Sequence, residues 1–320
     1  MKPLALLFLM GLSFALAASE PISLETMTGT LYGTLELPDI SAPYPVVLIH
    51  PGSGPTDRDG NSAQLPGKND SLKLLAEALA KEGIASVRID KRGIGESLNA
   101  TPNEADLRFD TYIDDAAAWL DLLQNGERFS EVIMLGHSEG SLIGTVAAQH
   151  AGADGFISLA GPGEPAADTL ERQLSVQLPQ PLLEESEEVI ASLEEGQTVQ
   201  PLPKGIAAVP AIGNALFRPS VQPYLISWFQ YDPAEEVARL EMPVLIVQGT
   251  TDIQVRVEDA ELLSAAQPAA ELVILEGMNH VLKDAPATRA LNLAAYANPN
   301  LPLTDGLVEA ITSFITALNE

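Results

Sequence analysis

Ser138 sits in Gly136-His137-Ser138-Glu139-Gly140, directly after the apolar run Val132 to Leu135 and directly before the small-residue segment Ser141 to His150. That context predicts a strand, a sharp turn and a helix, with the serine at the apex. Such a turn forces the serine backbone into a strained conformation. Glycines two residues to either side let the strand and helix pass without collision. The hydroxyl would then stand at a helix N-terminus, where the dipole and free N–H groups favour developing negative charge. The chemistry this suits is nucleophilic attack with a covalent intermediate. The same five-residue pattern also occurs at ordinary turn serines, and it is the flanking strand and helix that favour the nucleophile.

A serine hydroxyl needs a base, and the sequence holds four histidines. His137 adjoins the serine and is expected to point away from its reactive face, while His150 lies far along the following helix. His50 ends the apolar run Val46 to His50 and opens a glycine-rich loop, which suggests a structural role. His280 remains, in Gly277-Met278-Asn279-His280 after the apolar run Leu272 to Leu275. A loop residue at the carboxyl end of a late strand belongs there. The competing reading is a partly buried loop histidine bonded to backbone. For the acid, Pro243 to Gly249 is almost entirely apolar, as a buried parallel strand should be, and Asp252 is the first carboxylate after it. A lone turn aspartate is usually turn chemistry. What distinguishes Asp252 is the order Ser138, Asp252, His280, each at the carboxyl end of a strand.

That order, with the segments Val46-Val47-Leu48-Ile49-His50-Pro51-Gly52-Ser53-Gly54 and Ile89-Asp90-Lys91-Arg92-Gly93-Ile94-Gly95-Glu96-Ser97, closely resembles the α/β-hydrolase family over nearly the whole chain after residue 17. The wording Gly52-Ser53-Gly54-Pro55-Thr56-Asp57-Arg58-Asp59-Gly60-Asn61 is similar to an esterase-like and serine-aminopeptidase-like branch. The resemblance implies acyl transfer to water: Ser138 as nucleophile, His280 as base, Asp252 as its orienting acid. By position it implies an oxyanion hole made from the Ser53 and Glu139 amides. Pro51 interrupts the His-Gly pair usual in that loop. A carboxylic ester is the expected substrate, with a peptidase removing N-terminal residues or a thioesterase as the alternatives. A non-catalytic binding protein on the same fold is the reading from another class. Neither a cofactor nor a metal is expected, since the sequence has no phosphate-binding glycine loop with lysine and no H-E-x-x-H pattern.

Composition bounds the partners. The chain of 320 residues carries 17 Lys and Arg against 44 Asp and Glu, a formal net charge of −27, which disfavours nucleic acid and anionic lipid. There is no cysteine, which excludes disulfides, a thiol nucleophile and a thiolate metal site. Met1-Lys2, the apolar run Pro3 to Ala18 and the small residues of Ala15-Leu16-Ala17 read as a cleavable signal peptide over 1–17, hence a secreted or periplasmic protein. That run is short for a membrane span.

The elements that would position the triad alternate along the chain: a hairpin-like start over Met27 to Pro38, a helix over Asp70 to Lys81, a strand over Ile84 to Asp90, a helix over Tyr112 to Leu123, and a strand over Phe156 to Ala160. The alternation stops until Pro243 and ends with a helix near Thr304 to Leu318. This predicts an α/β fold with a mostly parallel, doubly wound sheet, its core domain formed by 18–163 and 241–320. The interruption, 164–240, is expected to be a helical cap. Its glutamates, Glu184, Glu185, Glu187, Glu188, Glu194 and Glu195, read as a solvated helix face. Phe217, Tyr224, Trp228, Phe229 and Tyr231 are available to line a pocket or to form the cap's own core. Asp57, Arg58 and Asp59 fit either a polar substrate end or an internal ion pair bracing the oxyanion loop. Asp90, Lys91 and Arg92 read as a charge-paired turn.

Overall fold

The computed structural model describes residues 18–101 and 103–318. The expected signal segment, 1–17, lies outside the described residues. One eight-stranded sheet runs through the molecule in the order β1-β2-β4-β3-β5-β6-β7-β8. Its strands are β1 (Ala18–Thr26), β2 (Gly29–Leu37), β3 (Tyr44–His50), β4 (Ala85–Ile89), β5 (Phe129–His137), β6 (Gly155–Leu159), β7 (Val244–Gly249) and β8 (Glu271–Leu275). β1 pairs antiparallel with β2, and β2 antiparallel with β4, while every pairing from β4 to β8 is parallel. The fold is therefore α/β with a mostly parallel sheet, and its central strands are apolar on both faces because helices cover both.

Alternation in β3 shows the two layers. Val46 and Leu48 join one core with Trp119, Phe109 and Met134 beneath α2 (Phe109–Gln124) and α3 (Glu139–Ala151). Val47 and Ile49 join the opposite core with Leu72, Leu75, Ile311 and Phe314, under α1 (Ser71–Lys81) and α11 (Leu307–Ala317). Between β6 and β7 the chain forms α4 (Ala166–Ser175), α5 (Gln180–Glu194), α6 (Lys204–Ala207), a π-helical turn over Pro210–Leu216, α7 (Gln222–Trp228) and α8 (Pro233–Val237). These helices enclose a third apolar cluster of their own, with Leu193, Ile206 and Phe217 at its centre. α5 turns Leu183, Val189, Ile190 and Leu193 inward, and its glutamates occupy the remaining faces. α9 (Val257–Ala266) and α10 (Arg289–Ala295) lie between β7 and α11.

Three elements differ from the sequence reading for identifiable reasons. The hairpin begins at Ala18 rather than Met27; β1 is an edge strand with no fully buried residue and carries Pro21, so apolar patterning does not mark it. α2 starts at Phe109, three residues before Tyr112, because Phe109 is fully buried by stacking on Trp228 of the cap at 5.8 Å. α10 was not anticipated. Its buried residues are Asn292 and Ala295 while Leu291 and Leu293 face out, so it has no apolar stripe to read. No described helix is long and apolar enough to cross a membrane.

Candidate active site

β5 ends at His137 and α3 begins at Glu139, leaving Ser138 alone at the turn with φ 57° and ψ −126°. A non-glycine residue in that region is strained. The strain is held from three sides. Ser138 N–H donates to the Leu159 carbonyl at 2.9 Å, a Cβ on Gly136 would fall on the Gly140 carbonyl, and one on Gly140 would lie 2.6 Å from the His50 carbonyl. Gly136 is thus a steric requirement of bringing β5 against the start of α3, and Gly140 one of packing the turn against the end of β3.

Asp252 follows β7 and His280 follows β8, and the structure brings both to Ser138. His280 Nδ1 lies 2.7 Å from Asp252 Oδ2, and His280 Nε2 lies 3.1 Å from Ser138 Oγ. With the carboxylate accepting the Nδ1 proton, Nε2 is left as the acceptor for the serine hydroxyl. Asp252 is oriented by backbone: the Gln254 and Val255 amides donate to Oδ1 at 2.8 and 3.0 Å, and Gln248 Nε2 reaches Oδ2 at 3.3 Å.

Among the described residues, none of the other histidines hydrogen-bonds to Ser138 Oγ. His50 is buried and bonded to the Pro51 carbonyl through Nδ1, and burial, reinforced by the Lys91 charge, pushes its pKa down to about 3. His150 is exposed at the end of α3. His137 departs from the expectation that it turns away from the site. Its ring packs 4.9 Å from that of His280, and its Nε2–H donates to the His280 carbonyl at 2.8 Å. Burial first, then the charge of His280, lowers its pKa to about 3, so it is a neutral prop under the loop that carries His280. Sequence spacing could not reveal this, since 143 residues separate the two partners.

The loop after β3 passes over Ser138: a Cβ on Gly52 would come 3.0 Å from Ser138 Cβ. Ser53 and Glu139 both line the cavity above Ser138, and neither backbone N–H has a partner among the described residues. Asp57, Arg58 and Asp59 are internal. Asp57 accepts from the Asp59 and Asn61 amides, Arg58 pairs with Asp90 and Glu96 at 2.6 Å each, and Asp59 pairs with Arg88. They brace the loop and do not line the cavity. In the turn after β4, Arg92 pairs with Asp115 at 2.5 Å, but Lys91 does something the sequence did not suggest. Its Nζ donates to the Gly52 carbonyl at 2.5 Å and lies 3.6 Å from Glu139 Oε2.

Above the triad is a cavity of about 570 Å³ between core and cap. Its walls are largely apolar, with Leu170, Leu174, Ile212, Leu216, Leu225 and Trp228 from the cap. Of the aromatics expected to line it, Tyr224 and Trp228 do. Phe217 is fully buried in the cap core, Phe229 packs against that core, and Tyr231 bonds Asp110 at 2.7 Å. Tyr224 also ties cap to core, its hydroxyl donating to Glu139 Oε1 at 2.7 Å.

Comparison with known proteins agrees with this architecture. The model of the serine aminopeptidase S33 family matches residues 69–195, a span that holds Ser138 and stops before Asp252 and His280. Esterase EstD of Thermotoga maritima is 28% identical over 272 residues, which cover 82% of this chain and 61% of that protein; the chain thus spans about three fifths of its relative's length. Est1E from Butyrivibrio proteoclasticus superposes with a TM-score of 0.59 at 17% identity, over 93% of this chain and 98% of that one. GrgF from Penicillium sp. sh18, an α/β hydrolase, gives 0.53 at 22% identity over 82% and 91%. With its sheet order, its serine turn between β5 and α3 and these likenesses taken together, the chain has the α/β-hydrolase fold.

Proposed function

We propose that the protein hydrolyses carboxylic esters through an acyl-enzyme on Ser138. The observation that carries this reading is the continuous chain Ser138 Oγ, His280, Asp252, with contacts of 3.1 and 2.7 Å, opening into a mainly apolar cavity. His280 Nε2 takes the Ser138 proton as Oγ attacks the acyl carbon, and Asp252 stabilises the imidazolium. The Ser53 and Glu139 amides receive the tetrahedral oxyanion. His280 then protonates the departing alkoxide, and a water activated by the same nitrogen releases the acid.

Cavity charge favours an ester or thioester over a peptide N-terminus. An α-ammonium group would need an unpaired carboxylate, and the cavity's acidic residues are Glu104 and Glu139. Glu104 is held by Arg218 and Ser220, and Glu139 by Lys91 and Tyr224. The family match to serine aminopeptidases and the likeness to EstD support the reaction class on either reading. The deciding experiment is a panel of chromogenic acyl esters of graded chain length beside aminoacyl anilides and thioesters, each run with Ser138→Ala. Ester turnover exceeding anilide turnover, and vanishing in the alanine variant, is expected. Preferred cleavage of aminoacyl anilides would replace the esterase reading with the peptidase one.

The proposed location is outside the cytoplasm, supported by the sequence of residues 1–17. N-terminal sequencing of the protein recovered from the periplasm or medium tests it, with a start near Ala18 expected and an intact Met1 against it.

A further inference from the structure

We propose that Lys91 is a positioning residue for the oxyanion hole: its ammonium holds the Gly52 carbonyl and so sets the direction of the Ser53 N–H in the same peptide unit. The inference rests on the acyl-transfer reading above.

A trans peptide is planar and its C=O and N–H point to opposite sides. Fixing one end therefore fixes the other. The Gly52 carbonyl accepts from Lys91 Nζ at 2.5 Å, and both Lys91 and Ser53 line the cavity above Ser138. The unit also lies close to the nucleophile, with the Gly52 Cβ position 3.0 Å from Ser138 Cβ. A loop carrying glycines at 52 and 54 has backbone freedom to turn this peptide over, and a buried cation on its carbonyl removes that freedom. A hydrogen bond to the carbonyl also polarises the peptide and strengthens its N–H as a donor.

The turn itself gives no reason for a lysine here. Asp90 and Arg92 already fasten it through Arg58 and Asp115, and the Lys91 side chain is only 1% exposed. Burying an ammonium is costly unless it is paired. Burial does drive the Lys91 pKa down, and the nearby Glu139 carboxylate opposes that, with the Tyr112 ring 5.3 Å from Nζ. Glu139 is also the residue whose own amide is the second oxyanion donor. One buried ion pair therefore links both donor peptides, a juxtaposition that packing alone does not require.

Lys91→Met by itself strands the Glu139 carboxylate, so the deciding comparison is Lys91→Met/Glu139→Gln against Glu139→Gln. Both keep the Glu139 amide. With folding and fluorophosphonate labelling of Ser138 checked first, the double variant should lose ten- to a hundredfold in kcat relative to Glu139→Gln. This is somewhat less than the roughly 10²–10³ for deleting a donor outright. KM should stay within about twofold, and affinity for an alkyl trifluoromethyl ketone, which forms a hemiketal oxyanion on Ser138, should weaken by the same factor as kcat. Lys91→Gln in the Glu139→Gln background retains a neutral donor and should recover part of the loss. A double variant with the kcat of Glu139→Gln, or one whose loss lies in KM while ketone affinity holds, overturns the proposal for Lys91 alone. Full ester turnover by Ser138→Ala would instead overturn the reading beneath it.

Discussion

The floor of the site and its roof are built by different means. On the floor, Ser138, Asp252 and His280 follow the parallel strands β5, β7 and β8, and main-chain hydrogen bonds fix each one. The Leu159 carbonyl takes the Ser138 amide, two amides hold Asp252 Oδ1, and His137 props the His280 carbonyl. The roof is a set of short helices, α4 to α8, around their own apolar cluster. A few side chains join it to the core: Tyr224 to Glu139, Arg172 to Asp259 at 2.9 Å, Arg218 to Glu104, and Trp228 stacked on Phe109. Backbone fixation places reacting atoms to within fractions of an ångström, whereas side-chain packing sets only volume and polarity. Floor substitutions should therefore act on kcat and roof substitutions on substrate choice.

The sharpest test of the floor is Ser138→Ala, expected to lower ester turnover on the order of a millionfold and to abolish fluorophosphonate labelling. Substantial residual activity would remove the nucleophile from the comparison. Asp252→Asn should keep the fold yet cost roughly a thousandfold to ten-thousandfold near neutral pH, because the amide can donate to His280 and leave the wrong ring nitrogen protonated. Asp232→Asn is its control. Asp232 caps α8 by accepting from the Ala234 and Glu235 amides, a task asparagine performs equally well, so turnover should stay near wild type.

On the roof, Leu170→Trp narrows the apolar wall contributed by α4. It should lower kcat/KM for an octanoyl ester about tenfold relative to an acetyl ester, a selectivity of about 1.4 kcal/mol, comparable to excluding two methylenes. An equal fall for both esters would show that the roof does not shape the acyl site. Tyr224→Phe, which removes the hydroxyl donated to Glu139, should cost only a few fold in kcat, because Lys91 still holds that carboxylate. A loss as large as that of Asp252→Asn would erase the distinction between floor and roof.

The mildest test is thermodynamic. His50 and His137 titrate near the ordinary 6.5 when unfolded and near 3 when folded. Between those values the unfolded chain binds protons that the folded one refuses, so their contribution is fully present above about pH 6.5 and is lost as pH falls toward 3. Urea midpoints measured at pH 7 and pH 4.5 should show the decline, and His137→Gln should make it shallower. An unchanged slope in that variant would mean that His137 is already protonated in the folded state.

The strand-turn-helix around Ser138, the chain order of the triad and the parallel sheet follow from local rules. Apolar runs of strand length are uninterrupted in β3, β5 and β7, and the glycines at 136 and 140 are the residues the tight turn demands. That an acid and a histidine would follow the later strands was legible for the same reason. Composition similarly set the acidic character and the absence of thiol chemistry. Tertiary structure alone decided how distant side chains pair. Lys91 reads as one charge in a polar turn until folding lays it under Gly52 and beside Glu139. His137 reads as a spare motif residue until the loop after β8 arrives over it. The division of cap aromatics into pocket wall and cap core likewise depends on how the short helices of the cap pack together. Periodicity and turn chemistry act over a few residues and can be read in order along the chain. Burial, charge pairing and cavity shape depend on contacts between segments dozens to hundreds of residues apart, and only the packed chain brings those together.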